Sequence, residues 1–287
     1  MTQLSIIIPT CAEQAALDET VLSVLENRPT GCEVILVQSP EYADPYDLGD
    51  EVRFVDASDS DRIRMLNEGI REARGEIVHL LLPGVTVGPG WCDSAISLFE
   101  EDRDIGSVSP CIVARQTRKT ILGVDFNARL GKKLVRSARQ PILAPLLGTG
   151  FYRASALRFM HGFDDRFGDC ADVELGLRMK SASYKASHCD SRIHSTAKVT
   201  FSARRGFQGG VVRRRLSQLA VGLGLVGGWE AFLGVLGEPL TNRFGVATLT
   251  AMIGRMSGGT TAQRDTHATM LPIEDSVPGD PKHRRSA

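Results

Sequence analysis

The residues best suited to catalysis lie in an acidic stretch at 162–178, GFDDRFGDCADVELGLR. Its five carboxylates are Asp164, Asp165, Asp169, Asp172 and Glu174. A carboxylate can act as a general base or as an oxygen ligand for a divalent cation. An apolar-periodic run follows the acids, which is typical of a helix start, where the helix dipole favours negative charge. The pattern predicts Asp172 near the N-terminus of a helix, able to face a cleft, and a solvated acidic cap is the structural alternative.

Four basic residues are candidates for anion or substrate contacts. Arg64 lies in a predicted helix, His194 ends a predicted strand, and Arg204 and Arg205 open a basic segment. A planar guanidinium can bind phosphate through two parallel hydrogen bonds, so the three arginines are candidate phosphate ligands. A solvated basic face, or a histidine with its partners at a strand end, remains open for each.

The elements that position these residues alternate along the first 84 residues. Apolar, β-branched runs predict strands at 4–9, 32–38, 52–57 and 76–84, and helical periodicity predicts helices at 13–27 and 58–75. This order predicts an open, mostly parallel α/β sheet. Ligands of such sheets bind outside the carboxyl ends of the strands, which here are Pro9-Thr10, Gln38-Ser39, Asp56-Ala57 and Leu82-Pro83-Gly84.

The second part of the chain is less regular. A helix is predicted at 89–102, a strand at 105–115, and strands or basic loops over one sheet edge at 116–145. A Gly-Thr-Gly turn precedes a strand or short helix, and 183–195 is predicted as an edge strand. The domain boundaries follow from composition: a main domain at 1–200, a basic and apolar helical extension at 201–257, and a polar disordered tail at 258–287.

Composition excludes several classes of protein. The 34 basic and 34 acidic side chains balance, so the global charge does not indicate a nucleic-acid partner. The six cysteines form no CxxC pair, so a structural zinc site is not expected. The first residues predict a strand and not a signal peptide, which indicates a cytoplasmic protein. The run 219–237 has the length of a membrane span, but its glycines and Glu230 favour a helix pair, with peripheral membrane contact through 204–237 as one option.

Read in order, these motifs resemble the family 2 glycosyltransferases, which have the GT-A fold. LSIIIPTCAE resembles the opening strand and P-T-x-N-E turn, and RIRMLNEGIREARGEIVHLL resembles the R-x-x-x-x-N-x-G-x-x-x-A-x-G-E helix and strand. GTGFYRASAL resembles the acceptor-side strand, and ADVELGLRM resembles E-D-x-D-L-x-x-R. The resemblance covers residues 4–195 and implies a twisted, mostly parallel sheet with helices on both faces, followed by a C-terminal helical extension.

The resemblance also implies roles for individual residues. It makes Asp172 the base that deprotonates an acceptor hydroxyl, which attacks the sugar of a nucleotide-sugar donor with inversion. The acceptor would be a sugar or a lipid-linked molecule. The substrate-binding positions would be Pro9, Thr10, Glu13, Gln38, Arg64, Asn67, Gly148, Thr149, Gly150, Glu174 and His194. In this family a D-x-D motif binds a divalent Mg²⁺ or Mn²⁺ that holds the diphosphate.

The sequence departs from the family on the donor side. Gln38 and Ser39 replace the paired aspartates, Leu82-Pro83-Gly84 replaces D-x-D, and Ala171 replaces the glutamate of E-D. Side chains of leucine, proline and glycine offer no oxygen ligand, so no metal site is predicted. Two hypotheses remain: a metal-independent glycosyltransferase that uses arginines, or a catalytically inactive binding or partner protein in polysaccharide or cell-surface biosynthesis. A dehydrogenase or nucleotidyltransferase is disfavoured, since no GxGxxG follows the first strand.

Overall fold

A computed structural model describes residues 3–11, 13–127, 132–196 and 203–224. Its strands are β1 (Leu4–Pro9), β2 (Cys32–Gln38), β3 (Arg53–Asp56), β4 (Ile77–Leu80), β5 (Val85–Thr86), β6 (Ile105–Ala114), β7 (Thr120–Ile121), β8 (Gly123–Asn127), β9 (Lys132–Arg136), β10 (Phe151–Arg153) and β11 (Lys185–Ser195). Its α-helices are α1 (Gln14–Asn27), α2 (Arg62–Glu72), α3 (Asp93–Glu101), α4 (Ala154–Phe159), α5 (Ala171–Ser181) and α6 (Ala203–Gly222). Short 3-10 helices lie at Leu48–Asp50 and Asp165–Cys170.

One mixed sheet organises the fold. Its strand order is β3-β2-β1-β4-β10-β6-β11-β5, with β7 added against β6. The first four strands are parallel, as predicted, and Leu4 of β1 pairs with Cys32 on one side and Ile77 on the other. Their continuous apolar runs fit a sheet covered on both faces. β10 breaks the parallel pattern, because it runs antiparallel to both β4 and β6.

The fourth predicted strand is shorter than its apolar run. β4 ends at Leu80 and the chain turns through residues 81–84 before β5. Pro83 has no amide hydrogen for a ladder bond, and Gly84 has a φ of 86°, a left-handed value that favours glycine. β5 then pairs with the end of β11, His194 with Thr86. The prediction of β11 as an edge strand is therefore wrong, because β11 lies between β6 and β5.

Helices cover both faces of the sheet, as predicted. One core packs α2, α4, α5 and α6 against one face, and the other packs α1 and α3 against the opposite face. The predicted extension contributes to the first core, since Leu216 and Ala220 of α6 are both buried there. Among the described helices, none combines the length and the apolar character that crossing a bilayer requires.

The basic stretch at 116–145 contains a separate antiparallel hairpin, β8–β9. Val124 of β8 also bridges Ala144, and its amide hydrogen bonds to the Ala144 carbonyl at 2.8 Å. The hairpin therefore lies against the segment that leads into β10. α5 and β8 are also in contact, which brings the hairpin close to the acidic stretch.

Candidate active site

The carboxyl ends of β1, β2 and β3 form one polar edge of the sheet. Thr10 is buried, and its Oγ1 accepts a hydrogen bond from the Ser39 amide at 2.9 Å. Gln38 donates to the carboxylate of Asp56 on the next strand. Pro9 is buried at the end of β1, and Glu13 is exposed immediately before α1. The structure thus brings Pro9, Thr10 and Gln38 to the edge where ligands of such sheets bind.

The turn at 82–84 has no side-chain oxygen and is held by its backbone. The Leu82 amide donates to the Gly148 carbonyl at 2.9 Å, and the Gly84 amide donates to Thr20 Oγ1 at 2.9 Å. Among the described residues no group of three His, Cys, Asp or Glu side chains could hold a metal ion. The residues at the D-x-D position therefore do not fit the divalent metal that this motif would bind.

His194 lies beside this turn. Two residues later, the Thr196 amide donates to the Gly84 carbonyl at 3.0 Å, which joins the end of β11 to the turn. The His194 side chain is exposed. β5 directly follows this turn and pairs with β11, so His194 lies opposite Thr86, two residues after Gly84.

Helix α2 connects this edge to the acidic stretch. The side chain of Asn67 makes two hydrogen bonds to the backbone of Phe163, donating to its carbonyl at 2.8 Å and accepting from its amide at 2.9 Å. Arg64 donates to Asp165 and to Asp59, each at 2.6 Å. These hydrogen bonds raise the pKa of the Arg64 guanidinium. Arg64 and Asn67 therefore hold the acidic stretch in place, and both already have partners.

A cavity of about 500 Å³ opens between the end of β1, the start of α2 and the 3-10 turn. Its lining residues are Cys11, Ser60, Asp61, Arg62, Ile63, Phe167, Gly168, Asp169, Cys170 and Val212 of α6. The Arg62 guanidinium forms an ion pair with Asp169. Burial raises the pKa of the Cys170 thiol to about 11, and burial also raises the pKa of Cys11. The six cysteines are free thiols, of which only Cys92 and Cys189 are fully buried.

Asp172 is enclosed, so it does not face an open cleft as predicted. Its side chain is 0% exposed. Its Oδ2 accepts hydrogen bonds from Lys133 Nζ at 2.5 Å and from the Leu147 amide at 2.9 Å. Its Oδ1 accepts from the Val173 amide at 2.8 Å. The helix start supplies only one of these donors, so the enclosure depends on the hairpin and on the segment before β10.

Glu174 is also buried, but its partner lies on the same helix. Arg178, one helical turn later, donates to both Glu174 oxygens at 2.5 and 2.7 Å. The same guanidinium donates to the carbonyls of Met160 and, at 2.8 Å, of Gly162. Glu174 and Arg178 therefore fix α5 to the turn after α4, and the structure does not bring Glu174 to the cavity lining.

The Gly-Thr-Gly segment forms a tight turn below the site. Gly148 has a φ of 72°, and a Cβ atom there would lie 2.1 Å from Leu82 Cγ. Thr149 is buried, and its hydroxyl donates to the Leu146 carbonyl at 2.8 Å. The Gly150 carbonyl lies 3.2 Å from His79 Nδ1. This turn positions the Leu147 amide, which contacts Asp172.

Two site residues were not predicted. Lys133 belongs to the basic stretch at 116–145, but the pattern does not show which lysine reaches Asp172. Arg62 is the arginine of the R-x-x-x-x-N spacing with Asn67, and that spacing could have selected it over Arg64. The side chains of the predicted phosphate ligands Arg204 and Arg205 lie outside the described part of the chain, as do the run beyond Gly224 and the predicted tail.

Comparison with known proteins identifies the family. The model of the family described as "Glycosyl transferase family 2" matches residues 5–158, more than half of the 287 residues. The chain belongs to this family. The match covers the donor-side edge, the turn at 82–84 and the Gly-Thr-Gly turn, but it ends before Asp172. No curated protein matches the sequence significantly.

Solved structures share the fold at low identity. GalNAc-T7 with UDP, GalNAc and Mn²⁺ has a TM-score of 0.57 and 12% identity, over 78% of this chain and 55% of that chain. The mannosyltransferase PcManGT from Pyrobaculum calidifontis, in complex with GDP-Man and Mn²⁺, has a TM-score of 0.53 and 14% identity, over 89% and 80%. S. aureus TarS 1–349 has a TM-score of 0.58 and 13% identity, over 90% and 72%.

These neighbours confirm the predicted GT-A fold. The chain spans little more than half of the GalNAc-T7 chain and a larger share of the other two. At such low identity the likeness concerns the fold alone. Membership of the family supports a nucleotide-sugar glycosyltransferase in general terms.

Proposed function

We infer that this family 2 member transfers a sugar from a nucleotide-sugar donor to an acceptor hydroxyl with inversion, and that it does so without a divalent metal. The observation that carries this inference is the position of Asp172, a buried carboxylate two residues after Cys170, which lines a cavity at the carboxyl edge of the sheet. A carboxylate there can take the proton of the acceptor hydroxyl as it attacks the anomeric carbon. The nucleoside diphosphate leaves on the opposite face of the sugar.

The chemistry of the donor side supports metal independence. The leaving diphosphate needs positive charge to stabilise it, and 82–84 offers no side-chain ligand for a cation. Arg62 lines the cavity, and Arg213 of α6 directly follows Val212, which also lines it. Guanidinium groups bind phosphate through directed hydrogen bonds, so arginines are the natural substitutes. Arg64, Arg204 and Arg205 remain candidates for the same role.

A non-catalytic role is the second candidate, and the enclosure of Asp172 favours it. A base must come within hydrogen-bond reach of its substrate, and both oxygens of Asp172 already accept hydrogen bonds from the protein. The chain would then act as a binding or partner protein for enzymes that build polysaccharides or cell surfaces.

Calorimetric titration separates the two candidates. The purified protein is titrated with UDP-, GDP- and dTDP-sugars, once in EDTA and once with Mn²⁺. We expect binding in EDTA that Arg62→Met weakens and that Arg71→Met, a change in an exposed helical ion pair, leaves unchanged. Binding that strictly requires Mn²⁺ contradicts metal independence. The absence of binding to any sugar nucleotide contradicts the proposed glycosyltransferase activity.

The nature of the acceptor and the location are part of the same proposal. We expect a sugar or lipid-linked acceptor, and a cytoplasmic protein that contacts the membrane peripherally through 204–237. Separation of cell lysate into soluble and membrane fractions, with and without a high-salt wash, tests the contact. A protein that only detergent releases from the membrane would contradict a peripheral contact.

A further inference from the structure

Lys133 links the cavity to Asp172. The lysine extends from β9, its side chain is 18% exposed, and its ammonium group lies 2.5 Å from Asp172 Oδ2. The same ammonium donates to the Asp169 carbonyl at 2.8 Å. Asp169 lines the cavity, so the ammonium contacts both the buried carboxylate and a residue of the cavity wall.

The charge of Lys133 also acts on a residue of the cavity wall. Cys170 lines the cavity next to Asp169, and Lys133 opposes the rise that burial causes in the pKa of its thiol. Arg213 has the same effect on Cys170, and Arg62 lines the cavity itself. Three cationic side chains therefore act on this wall against the carboxylates of Asp169 and Asp172, in a cavity large enough for a diphosphate.

The pairing also closes Asp172 to a substrate. Lys133 and Leu147 are both donors to Oδ2, and Val173 is a donor to Oδ1. The two backbone donors are fixed by α5 and by the turn before β10. The ammonium differs, since it stands on a four-carbon stem with rotatable bonds and donates up to three hydrogen bonds. Its withdrawal would open Oδ2 without unfolding the helix.

We propose that Lys133 is a positioning residue that exchanges partners: it pairs with Asp172 in the free protein and with the diphosphate of a bound nucleotide sugar. This exchange rests on the proposed function. Donor binding withdraws the ammonium from Oδ2, and the acceptor hydroxyl takes its place. The base is therefore exposed only after the donor has bound, which orders the two substrates.

The exchange predicts an unusual effect of removing the base. In Asp172→Asn no ion pair has to be broken, so we expect the Kd for UDP or GDP in EDTA to fall about tenfold, as for an interaction difference near 1.4 kcal/mol. Lys133→Met removes the ammonium group that would bind the diphosphate, and we expect the Kd for UDP or GDP to rise about tenfold. Lys133→Arg should bind within a few-fold of the wild type, and the double variant should bind like Lys133→Met.

Calorimetry with UDP, GDP and inorganic pyrophosphate measures these changes. Lys185→Met is the matched control, because this exposed lysine also pairs with aspartates but lies away from the cavity lining. If a folded Asp172→Asn variant binds no more tightly than the wild type, the exchange is wrong. Nucleotide binding by the wild type would still support the proposed function. If the wild type binds none of the three ligands, both the exchange and the proposed function fail.

Lys133→Met gives a second test that does not depend on the folding of Asp172→Asn. We expect it to weaken the binding of UDP, GDP and pyrophosphate in EDTA, while Lys185→Met binds like the wild type. Unchanged binding by a folded Lys133→Met variant contradicts Lys133 as a ligand of the diphosphate.

Discussion

Asp172 and Glu174 are two buried acids on one helix, and they differ in how their charge is neutralised. Glu174 is paired by Arg178, four residues away, so the sequence that forms the helix also forms the pair. Asp172 is paired by Lys133, 39 residues away on a hairpin. A pair within one helix persists as long as the helix does. An ion pair between two elements can separate when one of them moves. Of the two acids, Asp172 is therefore the one better suited to a catalytic role.

Removal of the Glu174 charge tests the structural side of this comparison. Glu174→Gln leaves the half-buried Arg178 guanidinium without its paired carboxylate, and we expect the free energy of unfolding to fall by about 3–5 kcal/mol. Urea unfolding measures this change. Glu68→Gln, in a surface ion pair of α2, is the control and should change stability by less than about 1 kcal/mol. A small loss in Glu174→Gln would show that the two acids are not distinguished by their partners.

Removal of the Asp172 charge tests the chemical side. Asp172→Asn cannot accept the hydroxyl proton, and we expect kcat for sugar transfer to fall at least about 100-fold, the usual contribution of a general base. KM for the donor should not rise. A variant that retains most of its kcat would exclude Asp172 as the base.

Gly148 belongs to the turn that positions the Leu147 amide, and a side chain at this position would strain the turn. Gly148→Ala forces a Cβ against Leu82 at a positive φ, and we expect a loss of about 1–3 kcal/mol in the free energy of unfolding. Adding Leu82→Ala to Gly148→Ala removes the clash but leaves the unfavourable φ. The double variant should therefore lose less unfolding free energy than the sum of the two single changes. Strict additivity in urea unfolding would contradict the contact.

His79 contacts the Gly150 carbonyl of the same turn, and it makes the stability of the protein depend on pH. Burial lowers the pKa of this histidine to about 3, and its ring stacks on Phe151. The unfolded chain takes up a proton below about pH 6.5 and the folded protein does not, so stability falls as the pH drops. We expect His79 to contribute a slope of about 1.4 kcal/mol per pH unit below pH 6. His79→Phe should lose this slope between pH 6 and 5, and His161→Gln, an exposed control, should keep it.

The sequence predicted the repeating parts of the fold and missed the contacts between distant segments. Apolar runs defined β1 and β2 because buried parallel strands are continuous and apolar. The position of β11 was missed because a two-residue partner, β5, has no detectable pattern. Asp172 was located by its motif, but its enclosure was not, because Lys133 belongs to an irregular stretch whose path the sequence does not define.

The antiparallel insertion of β10 has a consequence for the order of folding. The strands β1 to β4 are complete by residue 80, but the free edge of β4 is covered only when Phe151–Arg153 arrives. Pairing across some 70 residues is slow to form, and an open edge strand can pair with another chain in the meantime. During synthesis the nascent chain therefore presents an aggregation-prone edge from the completion of β4 until β10 has left the ribosome.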